Sequence, residues 1–270
     1  MKKIIQVLRL VLIFAVLTAL TQVGGLIYLL YKPIGITINK RLHGVQRHAR
    51  ILVFLAMYTL ISTLLIPSLA AHFGRTALPM SSSTLKPASH FTWLMNRHYV
   101  KPELLALLED VGNDLPAEMS MIYLDACFPF IDGFPLIGHL SHDDGEKVDL
   151  AFVYSDSNGD YLNDGKSFSG YGIIEPPTEK ELNQPLICEN QGFWQYSIPT
   201  KLTWFERSKN FQFDNTANRL LLQRLATDGR TGKIFIEPHL RDRLHLHKYV
   251  KVRFHGCHAV RHDDHIHLQL

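Results

Sequence analysis

The chain has 270 residues, 46% of them hydrophobic, and a formal net charge of +3, but these averages hide two unlike halves. Residues 1–102 hold 12 Lys and Arg and no acid, a charge of +12, whereas residues 103–270 hold the other 16 bases against all 25 acids, a charge of −9. The split excludes a single soluble globule with evenly mixed surface charge. It also excludes a nucleic-acid binder inferred from basicity alone, because the cations travel with apolar residues; the apolar and aromatic content excludes disorder over most of the length.

Leu10–Tyr31 is a run of 22 residues without a formal charge, and Ile51–Ala71 is a run of 21. About 20 apolar residues cross a hydrocarbon core, so both runs are expected to be transmembrane helices; a soluble helix would keep a polar face that these lack. The stretch between them carries Lys32, Lys40, Arg41, Arg47 and Arg50 and no acid. Basic loops stay on the cytoplasmic side, which would put both termini outside, although Lys2, Lys3 and Arg9 pull the opposite way. Residues 1–74 therefore read as a two-helix anchor with a basic loop over 32–50. Residues 75–89, with Pro79, Ser81–Ser83 and Pro87, read as a linker, and 90–270 as an extracytoplasmic domain.

Within that domain Pro102–Glu109 looks like the start of an amphipathic helix and Met121–Leu124 is a short apolar run. Asp149–Tyr154 reads as a buried strand opening on an acid, and Ser155–Gly172 as a polar loop. Asn215–Ala226 has Leu220, Leu221 and Leu225 at helical spacing behind a capping Asp214 or Asn215. Lys233–Glu237 is a strand ended by Pro238, and His239–His245 a second short helix. His265–Leu270 alternates, with His265, His267 and Gln269 on one face and Ile266, Leu268 and Leu270 on the other. These elements predict an α+β domain with a small, mostly antiparallel sheet and flanking helices. The three cysteines, Cys127, Cys188 and Cys257, form no CxxC pair and suggest no disulfide framework.

The chain has 15 histidines, seven of them between His245 and His267. Two clusters could carry chemistry: Gly138-His139-Leu140-Ser141-His142, followed by Gly145 and Asp149, and His262-Asp263-Asp264-His265-Ile266-His267. A hydrolytic zinc site needs three protein ligands, imidazole or carboxylate, and an open position for water. A loop histidine and an acid at the mouth of the next strand can converge on one ion. A His-x-His on a strand puts both rings on one sheet face, about 7 Å apart at roughly 3.3 Å of rise per residue. Neither cluster alone is strong: a His and an Asp seven apart, or a His-x-His in a chain of 15 histidines, more often means hydrogen-bonded or solvent-facing histidines.

Taken together, Gly-His-x-Ser-His-x-x-Gly-x-x-x-Asp and a distant His-x-x-His-x-His resemble the penicillin-insensitive murein endopeptidases. These are zinc peptidases of the lysostaphin, D-Ala-D-Ala peptidase and hedgehog group. Lys233–Leu240 (KIFIEPHL) and Phe213-Asp214-Asn215 are similar to two further family segments, and the resemblance spans roughly residues 120–270. It implies zinc held by His142, Asp149 and His267, with His139 at a position that can add to metal binding. His265 would be the catalytic histidine and His262 a second active-site histidine. The chain departs from the family in carrying Val260-Arg261 where Trp-Gly is frequent, and in its membrane region.

The resulting expectation is a zinc metallopeptidase of peptidoglycan cross-links, anchored in a bacterial inner membrane with its carboxy-terminal domain in the periplasm. Its partners would be a murein peptide and the lipid bilayer, with no nucleic acid. Two other readings compete: a binding module of the same fold that holds zinc without turnover, and a zinc-binding membrane accessory protein. Hydrolysis of cell wall separates the first from both.

Overall fold

A computed structural model of the chain describes residues 1–41, 46–164, 167, 169–198 and 211–270; the side chains of Lys40, Arg41 and Arg47 lie outside that description. Helix α1 (Lys2–Thr21) is followed at Gln22 by a left-handed residue, φ 63°, and α2 (Gly24–Arg41) turns back along it. A methyl group on Gly25 would come within 2.6 Å of the Phe14 carbonyl oxygen, so glycine is what lets the two helices touch. The apolar run Leu10–Tyr31, expected as one span, is thus a helical hairpin. The long apolar helices are Lys2–Thr21 and His48–Ala71, and the apolar part of α2, Gly24–Ile38, is shorter. Two helices could therefore cross a membrane, as expected, but the first begins eight residues earlier and ends ten earlier than its apolar run.

Helix α3 (Gln46–Leu60) continues through a π turn (Ile61–Leu65) into α4 (Ile66–Ala71). Pro67 has no N–H to give and its ring crowds the carbonyl four residues back, at Thr63, so the ladder widens by one residue there.

Residues 75–89 are not a linker. Strand β1 (Thr76–Ala77) pairs with β3 (Tyr99–Val100), and β2 (Leu85–Pro87) is an edge of the main sheet. Leu78 and Leu85 are buried in the core, and buried Arg75 pairs with Asp132. Serine and proline mark the turns between these short pieces and not a free tether. The domain grows directly out of α4, and further bonds tie it to the helices. Asn96 donates to the Tyr58 hydroxyl at 2.9 Å, Tyr58 donates to the Leu94 carbonyl at 2.6 Å, and the Phe130 N–H donates to Gln22 Oε1 at 2.9 Å.

The domain is mixed α and β. After helices α5 (His90–Leu94) and α6 (Pro102–Asn113) come β4 (Met121–Tyr123), β5 (Lys147–Ala151) and β6 (Tyr154–Ser155). Helix α7 (Gln184–Asn190) and β7 (Gln212–Phe213) precede α8 (Asn215–Thr227), which Asp214 caps by accepting the Ala217 N–H at 2.9 Å. The chain ends with β8 (Lys233–Phe235), α9 (Pro238–Arg243), β9 (Val252–Arg253) and β10 (His265–Gln269). The six-stranded sheet has the order β2-β4-β5-β10-β8-β9, with three central antiparallel pairings and a parallel pair at each edge.

Strands β5 and β10 lie at its centre, with His267 opposite Asp149 and Ile266 opposite Leu150. Strand alternation sends Val148, Leu150, Ile266 and Leu268 into one core with Leu104, Leu107 and Leu108 of α6 and Leu221, Leu222 and Leu225 of α8. The opposite face is left to Asp149, His265 and His267.

Cys188 and Cys257 form a disulfide across 69 residues of chain, with Cα atoms 5.3 Å apart, and Cys127 is free and buried. The cysteine spacing gave no hint of it, because a single long-range bridge has no local signature.

Candidate metal centre

The site is built on the sheet face that the core does not use. Cross-strand partners Asp149 and His267 stand side by side on β5 and β10. The segment between β4 and β5 brings two more histidines over them, with Gly138 at φ 94° opening the turn and the His142 N–H donating to the His139 carbonyl at 3.0 Å. Gly145, at φ 76°, passes the buried Arg75, whose guanidinium would lie 2.6 Å from an added Cβ.

Three donor atoms converge. His142 Nε2 lies 3.1 Å from Asp149 Oδ1, His267 Nδ1 lies 2.9 Å from the same oxygen, and the two ring nitrogens are 3.1 Å apart. Ligands about 2.05 Å from a tetrahedral zinc ion sit about 3.3 Å from one another, so this nearly equilateral triangle is a few tenths of an ångström tighter than a loaded site. Two imidazole nitrogens facing each other and one carboxylate oxygen need a proton or a cation between them. His139, His142 and Asp149 also offer donor atoms within 4.8 Å of one another and could hold a metal ion. The donor set, nitrogen and oxygen with no free thiol, fits zinc among other divalent ions.

The second carboxylate oxygen faces other partners. Asp149 Oδ2 accepts from the Tyr171 hydroxyl at 2.8 Å and lies 3.0 Å from His139 Nδ1 and 3.8 Å from His265 Nε2. Asp125, buried and paired with Arg97 at 2.7 Å, lies 3.9 Å from His139 Nε2. His139 is thereby bracketed by two acids. His265 Nδ1 faces Asp264 Oδ1 at 2.6 Å, and the other Asp264 oxygen accepts the Gly172 N–H at 2.9 Å. This pins the His265 ring with Nε2 toward Asp149. His262 lies 4.8 Å between ring centres from His265 with the rings tilted by 46°, and its backbone N–H donates to buried Glu237 at 3.0 Å.

Charge follows this arrangement. Burial alone would raise the Asp149 carboxyl, but His142 and His265 outweigh it and hold the group well below the usual carboxylate range. Burial pushes His142 down to about 4 against the pull of Asp149, so its ring is neutral and able to ligate. Burial also drives His262 well below its ordinary value, with His265 and His267 adding to the effect. Burial opposes charge on His265 too, yet Asp149 and Asp264 prevail and raise it to about 9. Both acids are within reach of one ring, which decides the sign.

A cavity of about 360 Å³ opens onto this face, with His139, His262, His265 and His267 on its floor and Gln195, His258 and Val260 along its walls. All six residues singled out in the sequence, His139, His142, Asp149, His262, His265 and His267, meet in one place. Tyr171, Asp125, Arg97 and Glu237 were not singled out, and Asp264 was read only as part of a cluster. Tyr171 sits in the segment read as a polar loop, and Asp125 closes the apolar run at 121–124; an acid at a strand end was the one available signal. Arg261, where the family pattern often has glycine, is committed to buried Asp263 at 2.7 Å. Cys257, beside the cavity, is in the disulfide and not a ligand. No protein-family model matches the chain, and no curated protein matches it.

Proposed function

We propose that the chain is a membrane-anchored zinc metallopeptidase acting on peptide cross-links of peptidoglycan. One observation carries the reading: the triangle of His142 Nε2, Asp149 Oδ1 and His267 Nδ1, of which His267 reaches the cavity that His265 also lines, while His142 and Asp149 lie buried behind it. In this reading His142, Asp149 and His267 hold the ion, and His139 with Tyr171 steadies the second Asp149 oxygen. Zinc, when bound, supplies Lewis acidity toward a carbonyl and toward water.

The chain's own groups supply the rest. Asp264 keeps the proton of His265 on Nδ1, so Nε2 is the atom that takes a proton from water and returns it to the leaving amine. A divalent cation beside Asp149 offsets the carboxylate that raises His265, which returns the ring toward its ordinary value of about 6.5. His262, neutral by burial, supports the polarised carbonyl from the cavity side. A tetrahedral centre needs donors of this kind that are already in place before charge develops.

The periplasmic placement of the domain rests on two supports. The hairpin puts Arg9 of α1 near Lys32 of α2 and Arg50 of α3, so that the amino-terminal cations and the start of the basic stretch lie on one side of the turn. The conflict between the amino-terminal cations and the basic loop therefore disappears, and both favour a cytoplasmic end. The Cys188–Cys257 disulfide belongs to an oxidising compartment.

The test is metal analysis of the purified full chain together with digestion of isolated murein. The expected result is one zinc per chain, muropeptide release abolished by chelation and restored by zinc, and no release by His267→Ala. Zinc without release, in wild type as in His265→Ala, would leave the non-catalytic binding module. Absence of bound metal would overturn the proposal.

A further inference from the structure

The anchor and the domain overlap along one helix. The apolar helix His48–Ala71 is 24 residues long, and the domain is already fastened to it at Tyr58. The Tyr58 hydroxyl donates to the Leu94 carbonyl at 2.6 Å and accepts from Asn96 at 2.9 Å. From there onward Tyr58, Ser62, Ile66 and Ala70 form a buried stripe at every fourth residue. Asn96 also reaches the Ser62 hydroxyl at 3.4 Å, and Tyr99, Leu94 and Phe130 of the domain share an apolar cluster with Tyr58, Ile66 and Ala70. The other side of the same stretch is open: Leu60, Leu64, Leu65 and Leu69 are 58%, 68%, 50% and 41% exposed.

Length makes this packing incompatible with a domain that stands clear of a bilayer. A hydrocarbon core is about 30 Å thick. From His48 to Tyr58 the helix rises about 15 Å at 1.5 Å per residue, half of that thickness. The other half has to come from the stretch beyond Tyr58, about 20 Å long, and the domain is packed along it. The domain surface beside that stretch suits such a place. Residues 89–96 and 126–131 include no Asp, Glu, Lys or Arg. Phe130 lies between the ends of both apolar helices: its N–H donates to Gln22 just past α1, and its ring centre is 5.1 Å from that of Phe73 just past α4. Phe73 and the adjacent Ile131 are 57% and 55% exposed. Asn96, Ser62 and Tyr58 are buried between helix and domain and bonded to one another, as polar groups at hydrocarbon depth have to be. Asp132, next in the chain, pairs with buried Arg75, so the flank turns polar just beyond Ile131.

We propose that this flank of the domain, with Phe73, Ile131 and the leucines of 60–69 on its surface, is immersed in the acyl chains of the leaflet on its own side of the membrane. Acyl chains are the occupant because the exposed leucines continue without a break from the part of the helix before Tyr58, where Leu52 and Leu55 are 65% and 46% exposed. The inference rests on the membrane reading of His48–Ala71 and is independent of the peptidase reading.

The experiment uses the full chain in phosphatidylcholine nanodiscs, with single cysteines placed at exposed positions and labelled with a bimane dye. Cys127 is buried and Cys188 and Cys257 are bonded to each other, so they do not compete for the label. Ile131→Cys and Phe73→Cys should be quenched by doxyl-labelled phosphatidylcholine and should lose quenching by aqueous iodide, as Leu64→Cys does on the helix. Val250→Cys, at a site 77% exposed, should show the reverse. On the unaltered chain, a phosphatidylcholine with a diazirine in its acyl chain should leave photoadducts at Phe73 and Ile131 as well as on the leucines of 60–69. Iodide quenching at Ile131 and Phe73 as strong as at Val250, with Leu64 quenched by lipid, would overturn the proposal and leave the spanning helix standing. Leu64 itself open to iodide would overturn the membrane reading and the proposal together. Protection of Ile131 and Phe73 from both quenchers, without photoadducts, would assign the flank to a protein partner and overturn the proposal as well.

Discussion

Asp149 divides its two oxygens between two tasks. Oδ1 meets His142 and His267, while Oδ2 is held by Tyr171 and faces His139 and His265. Partners that orient a ligand typically contribute 10–100-fold in metal affinity. Tyr171→Phe is therefore expected to weaken binding of a divalent metal by roughly 10–100-fold in a chelator competition; an unchanged affinity would show that the hydroxyl is idle. Glu237 offers a test of charge. It is fully buried, and burial raises its carboxyl from 4.5 to about 7. Below about pH 4.5 the folded and unfolded chains both hold this proton, so stability is highest. Between 4.5 and 7 the unfolded chain releases it while the folded chain keeps it, and stability falls. Above 7 the loss is complete, roughly 3 kcal/mol. Glu237→Gln should remove that slope from urea unfolding measured across this range, and an unaltered slope would assign the pH dependence elsewhere.

Among the elements, β10 carries the most. One face supplies His265 and His267, and the other supplies Ile266 and Leu268 to the core, both fully buried. Ile266→Ala should cost about 2–5 kcal/mol through the cavity it leaves, and should lower zinc occupancy only as far as the domain unfolds. The disulfide joins α7 to the segment 255–260 that walls the cavity. Closing a loop of this length in the unfolded chain is worth about 4 kcal/mol, so reduction of the bridge, or Cys257→Ser, should lower the unfolding free energy by that order and move the midpoint down with it. A midpoint indifferent to reductant would mean that the bridge does not form in the purified protein.

The molecule as a whole is an anchor and a domain joined without a tether. Residues 75–89 are strands, and Asn96, Leu94 and Phe130 of the domain bond to Tyr58 and Gln22 of the helices. The domain is thus held against the hairpin turn, while Arg9, Lys32 and Arg50 line one cavity between the helices. With that geometry, a carboxy-terminal fusion to a reporter active only in the periplasm should be active, and a fusion to one that matures only in the cytoplasm should be dark. The opposite pattern would invert the orientation and overturn the proposal that the domain acts on murein. Tyr58→Phe keeps the ring but deletes the donor to Leu94 and the acceptor for Asn96. It should loosen the junction by about 1–3 kcal/mol, as when one partner of a buried bond is lost, read as faster proteolysis near residues 94–97.

What the residues alone determined was local. The apolar runs, the Asp214-capped helix, and the alternation that sends His265 and His267 one way and Ile266 and Leu268 the other are periodicities within a few residues. The six residues singled out lie in two short segments, and the packed chain brings those segments together on one face of the sheet. Tertiary structure decided what depends on groups distant in the chain. Asp149 meets His267 across 118 residues, Tyr171 reaches its second oxygen across 22, and Cys188 finds Cys257 across 69. It also decided that Leu10–Tyr31 breaks at Gln22, because an apolar composition suits one long helix as well as two. Only the close approach of Gly25 to Phe14 selects the hairpin. Side-chain period is a property of the strand or helix itself, whereas pairing, ligand geometry and the sign of the His265 shift are set by which partners the packed chain brings within about 4 Å.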